Sequence, residues 1–100
     1  MITFNEIVID PVAKQVCVNS KPLELTRKEF DLLLYFITNK NRVLTKESIA
    51  EHLWGDHTDM ADNFDFIYTH IKNLRKKIEA EGGLNYLKTV YGLGYKYTER

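Results

Sequence analysis

Cys17 is the only cysteine in the chain, so no internal disulfide can form and no cysteine cage for a metal can be built. Flanked by Val16 and Val18, it is expected to serve as a small buried hydrophobe. Two prolines and five glycines in 100 residues leave no low-complexity segment, and 44% apolar with 28% charged residues describes an ordinary globular domain. No apolar run comes near the roughly 20 residues of a membrane span. The opening Met1-Ile2-Thr3-Phe4-Asn5-Glu6 lacks the basic and then apolar character of a secretory signal. The expectation is one hydrophobic core, in the cytoplasm, with no membrane partner.

Catalytic chemistry is missing too. No nucleophile stands beside a base, no carboxylates pair, and Gly92-Leu93-Gly94 precedes a strand instead of opening a helix. His52, His57, Asp59 and His70 lack the i, i+4 histidine pairing of a zinc motif, so no metal and no cofactor are expected. The chain reads as a non-enzyme.

Net charge is also absent: fourteen Lys and Arg balance fourteen Asp and Glu. The balance conceals a polarised layout. Glu51, Asp56, Asp59, Asp62 and Asp65 form an acidic stretch, and Lys72, Arg75, Lys76 and Lys77 follow before the next acid, Glu79. A phosphate backbone responds to the field of one face and not to the sum.

What is present is an ordered series of elements. Phe4 with Ile7-Val8-Ile9, then Gln15-Val16-Cys17-Val18, then Leu23-Glu24-Leu25 read as strands, broken by Asp10-Pro11 and by Asn19-Ser20-Lys21-Pro22. Short connections imply an antiparallel sheet. Thr26-Arg27-Lys28-Glu29 is a capping box with Leu25 and Phe30 as its staple, and Phe30, Leu33, Leu34 and Ile37 recur at helical spacing. Thr45 caps a second helix whose apolar side is Ile49, Leu53 and Trp54, with Gly55 just past its end. Asp62 is placed to cap a third helix over 63–80, in which Phe64, Ile67, Ile71, Leu74 and Ile78 form a buried stripe and Gly82-Gly83 stops the run. Two aromatic strands over 86–98, joined by Gly92-Leu93-Gly94, make a hairpin.

Opposite its stripe, the third helix carries Asp62, Asp65, Thr69, Lys72, Asn73 and Lys76. Phe66 and Lys77 stand at one edge, with Tyr68 and Arg75 near the core boundary. Such a helix fits the major groove of B-DNA. There Asn suits adenine, Thr suits the thymine methyl, and Lys suits guanine or phosphate. On composition alone the same face equally describes the solvated side of a surface helix.

From Phe4 to Tyr97 the chain resembles the DNA-binding effector domain of OmpR/PhoB-type response regulators. The motifs that carry the resemblance are Val18-Asn19, Leu25-Thr26-Arg27-Lys28-Glu29-Phe30-Asp31-Leu32-Leu33 and Asn41-Arg42-Val43-Leu44-Thr45-Lys46 in the first half. Leu53-Trp54-Gly55, His70-Ile71-Lys72-Asn73-Leu74-Arg75-Lys76-Lys77-Ile78 and Thr89-Val90-Tyr91-Gly92-Leu93-Gly94-Tyr95 follow. The resemblance implies an α+β winged helix-turn-helix over 1–100: an N-terminal antiparallel four-stranded sheet, three helices and a C-terminal hairpin wing. It implies double-stranded DNA as partner, read by the third helix. Phe66, Thr69 and Asn73 would approach bases, while Trp54, His70, Lys72, Arg75, Lys76 and Thr89 would hold the backbone. Tyr91 at the wing tip would approach the minor groove.

The resemblance further implies a phosphorylatable receiver domain that is not part of this chain, tandem dimers on direct repeats, and RNA polymerase contact through the loop at 55–61. Many members carry Arg where this chain has Asp65 and Tyr91, and Asp where it has Tyr68. A protein-interaction module on the same fold, with weak or no DNA selectivity, is the competing expectation.

Overall fold

The structure is a computed structural model describing residues 1–54 and 64–99, with Trp54 included through its backbone only. The expected Gly55 cap, the Asp62 cap, the loop at 55–61, and His57 and Asp59 all lie outside the described residues.

Four strands pair antiparallel in chain order: β1 (Ile2–Phe4), β2 (Ile7–Asp10), β3 (Gln15–Val18) and β4 (Lys21–Leu23). Alternation decides which face they bury. Phe4, Ile7, Ile9, Val16 and Val18 point into the core, while Val8 and Cys17, paired across β2 and β3, lie on the other face. Cys17 is therefore half-buried and not the buried hydrophobe expected, because a period of two puts it out of phase with Val16 and Val18.

The fourth strand also starts earlier than expected. Asn19 and Ser20, both at positive φ, make a two-residue turn, so Val18 pairs with Lys21 and Cys17 with Pro22. Proline is tolerated there because β4 is an edge strand and the Cys17–Pro22 pair is a non-hydrogen-bonded one.

Helix α1 (Arg27–Thr38) begins as the capping box requires. The Glu29 N–H donates to Thr26 Oγ1 at 3.2 Å and the Thr26 N–H to Glu29 Oε1 at 3.0 Å. Its buried set is broader than the expected stripe. Leu32 and Phe36 are fully buried and Leu34 only partly so.

A short strand the sequence did not disclose, β5 (Val43–Thr45), leads into α2 (Lys46–Trp54), whose first turn Thr45 caps by accepting from the Ser48 N–H at 3.1 Å. Helix α3 spans Asp65–Ala80, starting later than the expected 63, with Phe64 before it making no side-chain cap. It ends in a Schellman arrangement: the Gly83 N–H donates to Ile78 O at 2.9 Å and the Gly82 N–H to Glu79 O at 3.0 Å, with Gly82 at φ +84°.

The wing strands β6 (Leu87–Val90) and β7 (Gly94–Tyr97) pair as a hairpin, and β5 joins β7 to give a three-stranded sheet ordered β5-β7-β6. Gly94 belongs to the strand and not to the turn, which is Tyr91-Gly92-Leu93. The two sheets meet through Phe4, whose ring lies edge-on to Tyr86 at 4.9 Å and to Tyr97 at 4.8 Å. Sheet, three helices and hairpin in this order constitute a winged helix-turn-helix. Among the described residues no helix is long and apolar enough to cross a membrane.

One buried charge ties α1 to α3. Glu29 is 2% exposed, and Lys77 Nζ donates to its Oε1 at 2.6 Å. Burial pushes the Glu29 carboxyl up, but the Lys77 ammonium and the Thr26 backbone N–H outweigh it and hold the carboxyl below the usual range. A depressed folded-state pKa contributes stability above the ordinary glutamate value near 4.3, lost as pH falls through the folded value. Lys77→Met should cost about 1–2 kcal/mol at pH 7, reduced by the partial exposure of Lys77. Urea titrations of both proteins should show the gap closing in acid; a gap that persists at pH 3 would mean that lost packing of the Lys77 stem, and not the ion pair, is responsible.

Candidate nucleic-acid interface

Helix α3 turns Ile67, Ile71, Leu74 and Ile78 into the core. At 100° per residue the opposite side carries Asp65, Thr69, Lys72 and Lys76, all exposed, and Asn73, half-buried. Phe66 and His70 are half-buried on one flank. Phe66 packs against the edge of the core and lies edge-on to the His70 ring at 6.4 Å. The Thr69 hydroxyl donates to the Asp65 carbonyl at 3.1 Å, one turn back.

The basic run divides into two residues engaged within the domain and two on the exposed face. Lys77 faces α1 and is bound to Glu29, while Arg75 faces the wing. Arg75 Nε and Nη2 donate to the Leu87 carbonyl at 3.0 and 2.6 Å, and Nη2 reaches Thr89 Oγ1 at 3.3 Å. The Arg75 guanidinium lies 5.9 Å from the centre of the Tyr95 ring. Only Lys72 and Lys76 of the four project from the exposed face.

Tyr68 extends this wing-side contact toward the start of α2. Its ring lies 6.4 Å from that of Tyr95 and 5.3 Å from Lys46 Nζ, and this contact with Tyr68 raises the Lys46 pKa. Two rings, Tyr68 and Tyr95, thus stand between two cations, Lys46 and Arg75, and link helix to wing. Sequence spacing places Tyr68 and Arg75 at the core boundary but does not disclose these partners, which α2, β6 and β7 supply from elsewhere along the chain.

At the wing tip Tyr91 is 92% exposed and Leu93 59%. Thr89 is exposed on β6, on the side shared with Arg75. Trp54 is the last residue of α2. On the far side of the wing sheet, Tyr86 Oη donates to Glu6 Oε1 at 2.5 Å and the Leu84 N–H to Glu6 Oε2 at 2.6 Å. This anchors the segment entering the wing to the β1–β2 turn. The described residues contain no group of three His, Cys, Asp or Glu able to hold a metal.

An exposed helix face with amide, methyl and cationic groups, braced against a projecting hairpin, can enter a groove while the hairpin lies along the flanking backbone. Known proteins share this sequence pattern and fold. The family model "Transcriptional regulatory protein, C terminal" matches residues 20–97. The response regulator MprA of Mycolicibacterium vanbaalenii is 39% identical over 98 residues, covering 98% of this chain and 42% of MprA. The AdeR DNA-binding domain, solved in complex with an intercistronic region, superposes with a TM-score of 0.84 at 26% identity, covering 98% of both chains. DrrB, an OmpR/PhoB homologue of Thermotoga maritima, superposes at 0.82 with 33% identity over 97% of this chain and 43% of its own. The chain thus spans about 42% of the length of the curated relatives it matches. It belongs to the transcriptional regulatory protein C-terminal family, as the DNA-binding output domain of an OmpR/PhoB-type response regulator and not an enzyme.

Proposed function

We propose that α3 lies in the major groove of double-stranded DNA and reads sequence there, with the wing on the adjacent backbone and minor groove. The carrying observation is the outward row of exposed Thr69, Lys72 and Lys76 with half-buried Asn73 among them, flanked on the wing side by Arg75 and Thr89. Phe66, Thr69 and Asn73 approach base edges in this reading. Trp54, His70, Lys72, Arg75, Lys76 and Thr89 hold phosphates, and Tyr91 enters the minor groove with its ring, having no charge to seek a narrow one. The relatives' greater length supports a receiver domain preceding this one in the whole protein. Tandem dimers on direct repeats and polymerase contact through 55–61 belong to the same proposal.

Selection from a random duplex library, followed by anisotropy titrations at several salt concentrations, tests it. Lys72→Ala and Lys76→Ala should weaken binding to every sequence, each lowering the salt slope by about one. Asn73→Ala should instead change preference at one base pair by roughly 1–3 kcal/mol. Failure to enrich any sequence at low salt would favour a protein-interaction module on this fold.

A further inference from the structure

We infer that the wing tip is an apolar wedge: Tyr91 and Leu93 enter between two base pairs from the minor groove, unstack that step and bend the duplex. The inference rests on the groove binding proposed above. From Thr89 to Tyr95 the hairpin carries no charged residue. Its nearest cations, Lys88 and Lys96, face each other across the strands behind the tip and are half-buried. Tyr91 is 92% exposed and Leu93 59%. A tip of this kind releases no counterions and gains little from the negative potential of a narrow groove. It gains by leaving water. From the minor groove, the apolar surface a duplex can offer is the face of a base pair, uncovered when a step opens.

A wedge must also be stiff, because opening a step is costly and a yielding loop would fold aside instead. The tip is held from behind. Val90 and Gly94 close the strand pair, and the Leu93 N–H donates to Val90 O at 3.0 Å. Gly94 lies so close to the Leu44 carbonyl of β5 that a Cβ has no room. Tyr95, the next residue, is buried against the Arg75 guanidinium. Ahead of this anchor, a Cβ on Gly92 would meet nothing within 4 Å. Two large apolar side chains therefore project on a braced turn.

Continuity with the proposed interface makes the duplex the occupant. Thr89, on the strand that leads to the tip, shares the side of the wing that Arg75 of α3 reaches. The consequence is selectivity without contact to a base edge. Pyrimidine–purine steps such as TA unstack easily, whereas A-tracts are stiff. TA and AA steps present the same acceptors to the minor groove, so only shape and stiffness separate them there.

The test uses duplexes selected from a random library by the wild-type chain, with circular dichroism confirming that each variant is folded. Selection should place a TA or CA step in the flank beneath the wing. A thymine of that step should become reactive to permanganate on binding, and energy transfer between the duplex ends should report a bend of roughly 20–90°. Replacing a TA step by AA should weaken binding. Tyr91→Ala with Leu93→Ala should abolish both signals and lower affinity by about 5- to 150-fold, the worth of one base–aromatic stack. Neither the salt slope nor the base preference set by Asn73 should change, since no charge and no groove-reading group is removed. Tyr91→Arg with Leu93→Ala should instead raise the salt slope by about one and favour AA over TA. Bound DNA that stays straight and stacked, or an alanine variant that binds and bends DNA like the wild type, overturns the inference and leaves reading by α3 in place. A wild-type chain that enriches no sequence overturns both.

Discussion

Gly94→Ala should lower the melting temperature by roughly 12–24 °C, the consequence of about 3 kcal/mol in a domain of this size. A Cβ on Gly94 would lie well inside 3.0 Å of the Leu44 carbonyl oxygen, with the Leu44 carbonyl carbon and Thr45 Cα at 3.0 Å. Those atoms are backbone of β5, paired with β7, and cannot rotate away as a side chain could. Relief requires the two strands to part. Overpacking of this kind costs about 1–3 kcal/mol. The φ of +154° adds backbone strain for any other residue, again about 1–3 kcal/mol. Thermal denaturation followed by circular dichroism measures the sum, and a drop below about 5 °C would show that the β5–β7 approach has slack. Gly92→Ala is the control: its φ of +78° is unfavourable, but its Cβ would meet nothing within 4 Å. It should cost about 1 kcal/mol, the strain alone.

That contrast marks where local sequence stops being informative. Gly92 and Gly94 look alike in Gly92-Leu93-Gly94, and both read as turn residues. Only the arrival of β5, from some 50 positions upstream, makes Gly94 irreplaceable. Three residues of alternation in Val43-Leu44-Thr45 are too few to announce a strand before an obvious helix cap. Elements with long periodic stretches or self-contained capping chemistry were legible. The Thr26–Glu29 box, the Thr45 cap and the Ile67-Ile71-Leu74-Ile78 stripe all involve partners within one or two turns.

The candidate site divides along the same line. Helical geometry alone puts Thr69, Lys72, Asn73 and Lys76 outward. It sets Lys77 at one edge, beside Lys76, but does not disclose that Lys77 is held by a buried carboxylate on α1 while Lys76 is exposed. That difference depends on the crossing of α1 over α3, which no local pattern encodes. The second role of Glu29, cap and ion-pair partner at once, is hidden for the same reason.

Arg75→Ala should weaken binding to every DNA sequence by tenfold or more, and Arg75→Lys should recover little of it. Tyr86 O accepts from the Thr98 N–H at 2.8 Å, so the next carbonyl of β6, Leu87, points off the open edge of the wing sheet toward α3. Arg75 meets it with two N–H groups and extends to Thr89. Hydrogen bonds from a charged donor contribute about 1.5–3 kcal/mol each, and their loss leaves a half-shielded carbonyl on a strand edge. Without that anchor the wing occupies its docked position for a smaller fraction of the time, and apparent affinity falls by the same fraction. Lysine keeps the charge but is a single point donor that cannot span the Leu87 carbonyl and Thr89 as the guanidinium fork does. If anchoring dominates, Arg75→Lys should keep the salt slope of the wild type while its affinity stays near that of Arg75→Ala. If Arg75 acts through phosphate alone, lysine should restore slope and affinity together, and the bracing of helix against wing would have no part in binding. Hydrogen exchange of the β6 amides supplies the independent readout: faster exchange in both variants is the signature of a released wing, and unchanged exchange would count against it.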